Sequence, residues 1–130
     1  MKYFSVEEAE ALIPELERIF DTVAELAAKA QAKAEAVDRL ERAKKADPSQ
    51  LAIEQSQLQF LTQAANEQLQ SIVDLGAVPK GLEPALVDFP ARVEGREAYL
   101  CWKLGEKAIT HYHGVEEGFG GRKPLKRTLH

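Results

Sequence analysis

The residues best suited to chemistry lie near the C-terminus, where two histidines are followed closely by two glutamates. His111 and His113 stand two positions apart, so on a β-strand both imidazoles project from the same face. This geometry suits two nitrogen ligands of one divalent transition metal, and Glu116 or Glu117 could add a carboxylate. The stretch is therefore a candidate metal site. The competing interpretation is a half-exposed strand whose histidines bond to neighbours or water.

A second candidate lies in the glycine-rich segment that ends at Arg122. Three glycines surround Phe119, so the backbone can turn tightly and present free amides to an anion beside the Arg122 guanidinium. The alternative is structural: Phe119 turns into the core, and Arg122 pairs with Asp88 or a glutamate. With Trp102 and Glu106, these residues make up a candidate ligand or partner surface.

The remaining polar and reactive residues give weaker signals. Trp102 is most simply a core residue, and Glu106 most simply caps or pairs within a turn. Cys101 is expected to be a small buried hydrophobic residue, because a nucleophile needs a nearby base that strand alternation does not supply. No catalytic residue is assigned, and no organic cofactor is indicated.

The elements that must position these residues form a small antiparallel sheet. Alternation and turn signals predict three strands over residues 86–92, 96–103 and 108–113, after an irregular connector over 77–84. Pro90 has no amide donor, which favours an edge strand. Three strands need support, so we expect one sheet face to pack on helices and the other to hold any site.

The first half of the chain predicts two long helices. Ser5 and Glu8 fit a capping box, and apolar residues then recur every three or four positions to about residue 45. Pro14 predicts a kink, or a short first helix and a new start. Asp47 and Pro48 begin the second helix, which a left-handed Gly76 ends. The join is short, so the helices form an antiparallel hairpin.

Apolar residues beside the main helical stripes widen the hairpin's apolar surface. Phe20, Ala27 and Phe60 lie beside these stripes, and a lone two-helix seam would leave them wet. We therefore expect a homodimer in which a second copy covers this surface. The alternative is that the protein's own sheet covers it.

Composition divides the chain at Gly76. All eight glycines lie after residue 75. Net charge is −6 over residues 1–75 and +2 over 76–130. We expect a helical hairpin over 1–76 and a sheet with a glycine-rich end over 77–130, together forming one compact α+β unit. The acidic half disfavours nucleic-acid binding, and the basic cluster of Arg122, Lys123, Lys126 and Arg127 is a weak contrary signal.

Several protein classes are disfavoured by the sequence. No apolar run approaches the roughly 18–20 residues that span a bilayer, and the N-terminus resembles no secretory signal. A single cysteine excludes an internal disulfide and suits a reducing cytoplasm. We therefore expect a cytoplasmic protein with no membrane partner.

The chain resembles a bacterial family catalogued as domain of unknown function 2203. At the N-terminus the resemblance rests on Tyr3-Phe4-Ser5, Glu8-Ala9 and Leu12-Ile13-Pro14-Glu15-Leu16. In the second half it rests on Asp88-Phe89-Pro90, Gly95-Arg96, Leu100-Cys101-Trp102, Leu104-Gly105-Glu106, His113, Glu116, Gly118-Phe119, Gly121-Arg122 and Pro124-Leu125. The family has no established activity, so the resemblance implies architecture and candidate positions without chemistry.

Two classes of function follow from the sequence. The first is a non-enzymatic, dimeric interaction or ligand-binding module. The second is a metal-binding protein or metal-dependent enzyme with its site at His111, His113, Glu116 and Glu117. A weaker alternative is nucleic-acid contact through the basic C-terminal tail. Catalysis needs a pocket, an acid or base, and a group that orients it. Only the acid or base is visible in the sequence, so the non-enzymatic class is preferred.

Overall fold

The structure is a computed structural model that describes residues 2–126. It is an α+β protein with long helices and one antiparallel sheet. The helices are α1 (Val6–Ala11), α2 (Ile13–Arg42) and α3 (Pro48–Asp74). The strands are β1 (Val78–Leu82), β2 (Ala85–Val93), β3 (Arg96–Lys103), β4 (His111–Gly114) and β5 (Lys123–Pro124), with a 3₁₀ turn over Phe119–Gly121. No described helix has the length and apolar character needed to cross a bilayer.

The helix ends follow their local signals. The Ser5 hydroxyl accepts the Glu8 amide at 3.0 Å, and the Ser5 amide donates to the Glu8 carboxylate at 2.9 Å, which confirms the capping box. Pro14 is accommodated by the second of the predicted routes: α1 ends at a cap on Leu12, and a separate helix starts at Ile13. The long helix is thus preceded by a short one instead of being kinked within its length.

The second helix begins and ends as expected. Asp47 accepts the Ser49 amide at 2.9 Å, and Pro48 is the first residue of α3. Gly76 follows the helix with a φ of +97°, a left-handed conformation that glycine adopts without a Cβ penalty. Lys33 of α2 lies 3.0 Å from Glu54 of α3, consistent with antiparallel neighbours.

The sheet has five strands in the order β1-β2-β3-β4-β5, two more than predicted. The additional first strand lies in the segment predicted to be an irregular connector. Pro79 and Gly81 flank a bulge there, and the strand still pairs with β2 from Val78 opposite Asp88 to Leu82 opposite Ala85. The additional last strand is only two residues long and pairs with β4. The third predicted strand begins later, at His111.

Pro90 lies on an interior strand, so the edge-strand prediction is wrong for β2 as a whole. The local environment explains why the proline is tolerated. The last β1 pairing is at Asp88, and beyond it the Pro90 carbonyl accepts the Phe4 amide at 2.7 Å. The ring nitrogen of Pro90 faces the same side as that carbonyl, where no strand requires a donor.

The chain forms two compact units, whereas the sequence divides at Gly76. One unit contains residues 2–18 and 71–126, and the other contains residues 19–70. In the first unit one sheet face is packed, with Phe4 meeting Phe89 edge-to-face at 5.1 Å. Glu10 of α1 accepts the Ile109 amide at 2.9 Å. The packed face contributes buried residues to the core: Val87, Phe89, Ala91, Ala98, Leu100 and Trp102.

Candidate functional site

The opposite, open face of the sheet holds a buried acid–histidine pair. In the β2–β3–β4 register Asp88 lies across from Cys101, and Tyr99 lies across from His113. Strand alternation places all four on this face. Asp88 Oδ2 lies 2.9 Å from His113 Nε2, and the two side chains are only 6% and 4% exposed. The pair joins the two strands that flank β3.

Both ring nitrogens of His113 are engaged. Nε2 meets the Asp88 carboxylate, and Nδ1 lies 2.9 Å from the Gly114 carbonyl oxygen. Both partners are acceptors, whereas a neutral imidazole carries one N–H and an imidazolium carries two. Both contacts of His113 can therefore be hydrogen bonds in either of two forms. One is an imidazolium beside a carboxylate, and the other is a neutral imidazole beside a protonated carboxyl group. His113 then has no free nitrogen with which to take a proton from another group.

The pair forms part of the wall of a cleft of about 310 Å³. Tyr99 stands beside His113, with ring centroids 5.5 Å apart. Phe119 is half-buried and supplies a second aromatic wall. The lining residues are Lys80, Leu86, Asp88, Tyr99, His113, Val115, Glu117, Gly118 and Phe119. The wall thus combines apolar and aromatic surfaces with four acidic or basic side chains, a mixture of the kind found in small-molecule sites.

The loop after β4 is organised by Glu117. Its carboxylate accepts the Gly114 amide at 2.8 Å and lies 2.9 Å from Lys123 Nζ. These bonds lower the pKa of Glu117 below its ordinary value, and the bond to Lys123 has the larger effect. A Cβ at Gly114 would approach a Glu117 carboxylate oxygen to 2.9 Å, and one at Gly121 would approach Glu117 to 3.1 Å. Both glycines therefore leave room for this carboxylate.

Arg122 fixes the other end of the same loop. Its Nη2 lies 3.1 and 3.2 Å from the two oxygens of Glu106, so the expected glutamate pairing is confirmed with Glu106 as partner. The guanidinium also stacks on Phe119, 4.5 Å from the ring centroid. Glu106 in turn accepts the Lys103 amide at 2.8 Å. Arg122 thus holds Phe119 at the cleft, and Phe119 is half-buried instead of entering the core.

Cys101 and Trp102 lie within the structure and not at its surface. Trp102 is fully buried on the packed face, where its indole N–H donates to the Glu106 carbonyl at 2.9 Å. Strand alternation turns Trp102 away from the open face, so it does not line the cleft. Cys101 is 1% exposed, and burial raises the pKa of its thiol, an effect that nearby Arg122 offsets only in part.

The four predicted metal ligands do not converge. His111 Nδ1 bonds to the Thr110 hydroxyl at 2.8 Å, His113 pairs with Asp88, and Glu117 is held by Lys123. Glu116 is exposed. Across residues 2–126 no three His, Cys, Asp or Glu side chains are grouped so that they could hold a metal ion.

The basic cluster is partly neutralised. Arg122 pairs with Glu106 and Lys123 with Glu117, while Lys126 is exposed. Arg127 and the rest of the tail lie outside the described residues. Two of the four charges proposed for nucleic-acid contact are therefore committed within the protein.

Sequence reasoning missed the Asp88–His113 pair. The histidine spacing directed attention to His111, two residues away, whereas the actual partner lies 25 positions earlier. The sequence offers only an aspartate in one predicted strand and a histidine in another. Whether the two side chains meet depends on the register of the strands.

We expect the buried pair to be strongly coupled. Asp88→Ala or His113→Ala should each lower the free energy of unfolding by about 3–5 kcal/mol, because each leaves an unpaired polar group inside. The double variant should lose less than the sum, with a coupling of about 1–3 kcal/mol in urea unfolding. Lys123→Ala, which breaks an exposed pair, is the control and should cost below about 1 kcal/mol. Single losses as small as this control would contradict the assignment.

Glu117 should give the loop a defined pH dependence. Its pKa in the folded protein is lowered, so its stabilising contribution is present above the ordinary value of 4.5 and is lost as pH falls through the lowered value. The Gly114 amide proton shift in NMR should therefore titrate below pH 4.5. Glu117→Gln should abolish that titration and Glu116→Gln should preserve it. An unchanged titration in Glu117→Gln would refute the contact.

Comparison with known proteins agrees with this architecture without assigning an activity. No curated protein and no solved structure matches the chain. One family model, described as "Uncharacterized conserved protein (DUF2203)", matches residues 2–125. Because that match covers nearly the whole chain and includes every residue of the cleft, the protein belongs to the DUF2203 family.

Proposed function

We propose that the protein is a non-enzymatic binding module that receives a small ligand in the cleft on the open face of the sheet. The observation that carries this proposal is the double engagement of His113, whose two ring nitrogens are both taken by acceptors. A histidine held in this way is a fixed polar surface and a poor proton-transfer group, because accepting a proton from a ligand would require one of those contacts to break.

Cys101, a potential nucleophile on the same face of the sheet, supports the same conclusion. Cys101 is buried and its pKa is raised, so the reactive thiolate is disfavoured. The cleft itself has the features of a binding site: it is concave, it is lined by Tyr99 and Phe119, and the Asp88–His113 pair is in place before any ligand arrives. A preformed wall reduces the ordering cost of binding.

This proposal predicts that the cleft binds a small uncharged aromatic probe. Benzamide, titrated into the full-length protein, should shift the NMR signals of Tyr99, Val115 and Gly118. Phe119→Ala removes one aromatic wall and should weaken binding about fivefold or more, given roughly 1 kcal/mol for one aromatic contact.

The matched control for that experiment is Phe60→Ala, the same substitution on the helical unit. Phe60 is 71% exposed and lies outside the cleft, so benzamide binding should be unchanged. Absence of shifts at the cleft with benzamide, benzoate and benzylamine alike would overturn the proposal.

We also propose that the helical unit pairs with a second copy of the chain. Within residues 24–70 Val37 alone is buried, although these residues include most of α2 and α3. Ile53 and Phe60 of α3 are 50% and 71% exposed and lie seven residues apart, hence on one helix face. Large apolar side chains left exposed on one helix face favour burial against another protein surface, and symmetric dimers are the commonest arrangement.

Light scattering tests the dimer directly. The wild-type protein should have twice the 14.4 kDa mass of the chain, and Phe60→Asp should shift it toward the monomer, because a charge would be buried unpaired. Gln59→Asp places the same charge on the neighbouring exposed residue and should remain dimeric. A wild-type mass of 14.4 kDa at micromolar concentration would refute the proposal.

A further inference from the structure

We infer that the ligand of the cleft is a small aromatic anion, a single planar ring with one carboxylate or phosphate group, whose charge is received by Lys80. This inference rests on the proposed binding function and adds the chemical class of the ligand. It follows from the charges of the cleft, the position of Lys80, and the shape and chemistry of the walls.

The charged groups around the cleft leave one cation uncompensated. Asp88 is bonded to His113, and Glu117 is bonded to Lys123. Lys80 has no acidic partner within 4.0 Å among residues 2–126. Because the other charges are already paired, the complementary ligand charge is negative.

Lys80 is placed where it can meet a ligand at the mouth of the cleft. It lies in the bulged part of β1, between Pro79 and Gly81, and is exposed. Its Nζ lies 6.0 Å from the centroid of the Tyr99 ring on β3. The ammonium group therefore stands over one aromatic wall, and an anion bound there would remain in contact with that wall.

The apolar walls of the cleft favour a flat apolar body. Tyr99 and Phe119 provide aromatic surfaces, and Leu86 and Val115 provide aliphatic ones. A volume of about 310 Å³ is at the small end of ligand pockets, which fits a single ring better than a nucleotide. Asp88 and His113 are already bonded to each other, whereas Lys80 is exposed and has no acidic partner in the described part of the chain, so the anionic group points outward to Lys80 and the ring lies against the apolar walls.

Existing contacts explain why Arg122 is not the anion receptor that the glycine-rich sequence around it suggests. Its guanidinium is occupied by Glu106 on one side and by the Phe119 ring on its face. Lys80 has neither constraint, and it comes from a segment that sequence analysis treats as a connector.

The test is an NMR titration of the full-length protein at low salt with four single-ring probes: benzoate, phenyl phosphate, benzamide and benzylamine. Benzoate should bind about two- to fivefold more tightly than its neutral isostere benzamide, since Lys80 is exposed and an exposed charge pair contributes up to about 1 kcal/mol. Benzylamine should bind most weakly. The ratio of phenyl phosphate to benzoate affinity distinguishes a phosphate ligand from a carboxylate ligand.

Lys80→Gln is the decisive variant, and it should reduce the benzoate-to-benzamide affinity ratio to about one. Lys103→Gln is the matched control: Lys103 is also an exposed lysine of the sheet but does not line the cleft, so the ratio should persist. A ratio near one in the wild type, or an undiminished ratio in Lys80→Gln, would overturn the inference while leaving benzamide binding and the proposed function intact. Absence of binding by all four probes would overturn both.

Discussion

The sheet of this protein is organised around a carboxylate and an imidazole that must satisfy each other away from water. Leaving either one unpaired inside would be costly, so Asp88 and His113 have to remain 2.9 Å apart. That distance requires β2, β3 and β4 to keep their register, with Tyr99 and Cys101 between them. A slip by one residue would turn every side chain of a strand to the other face and separate the pair. The pair therefore specifies the sheet as well as shaping the cleft.

Features governed by neighbours in sequence could be predicted from the sequence. The Ser5 capping box, the start of α3 at Pro48 and the left-handed Gly76 each depend on a few adjacent residues, and each is observed. The two additional strands could not be predicted in the same way. Pro79 and Gly81 have the composition of a connector, and only pairing with β2 makes that segment a strand.

The sequence directs attention to the second half of the chain, where the cleft lies, but it does not indicate which side chains pair there. His113 is a candidate ligand from its spacing to His111, whereas its pairing with Asp88 depends on strand register across 25 positions. Trp102 and Phe119 show the same limit. Their aromatic character is visible in the sequence, but which face each one occupies depends on the sheet, which buries Trp102 and leaves Phe119 at the cleft.

The placement of the prolines has a consequence for aggregation. An open sheet edge offers unpaired amides and carbonyls to strands of other molecules. Here both outer strands carry a proline, Pro79 in β1 and Pro124 in β5, and the stretch of β2 beyond β1 carries Pro90, whose carbonyl is already taken by the Phe4 amide. Each proline removes a donor that an incoming strand would need. These prolines thus disfavour the addition of a strand from another molecule at either edge of the sheet.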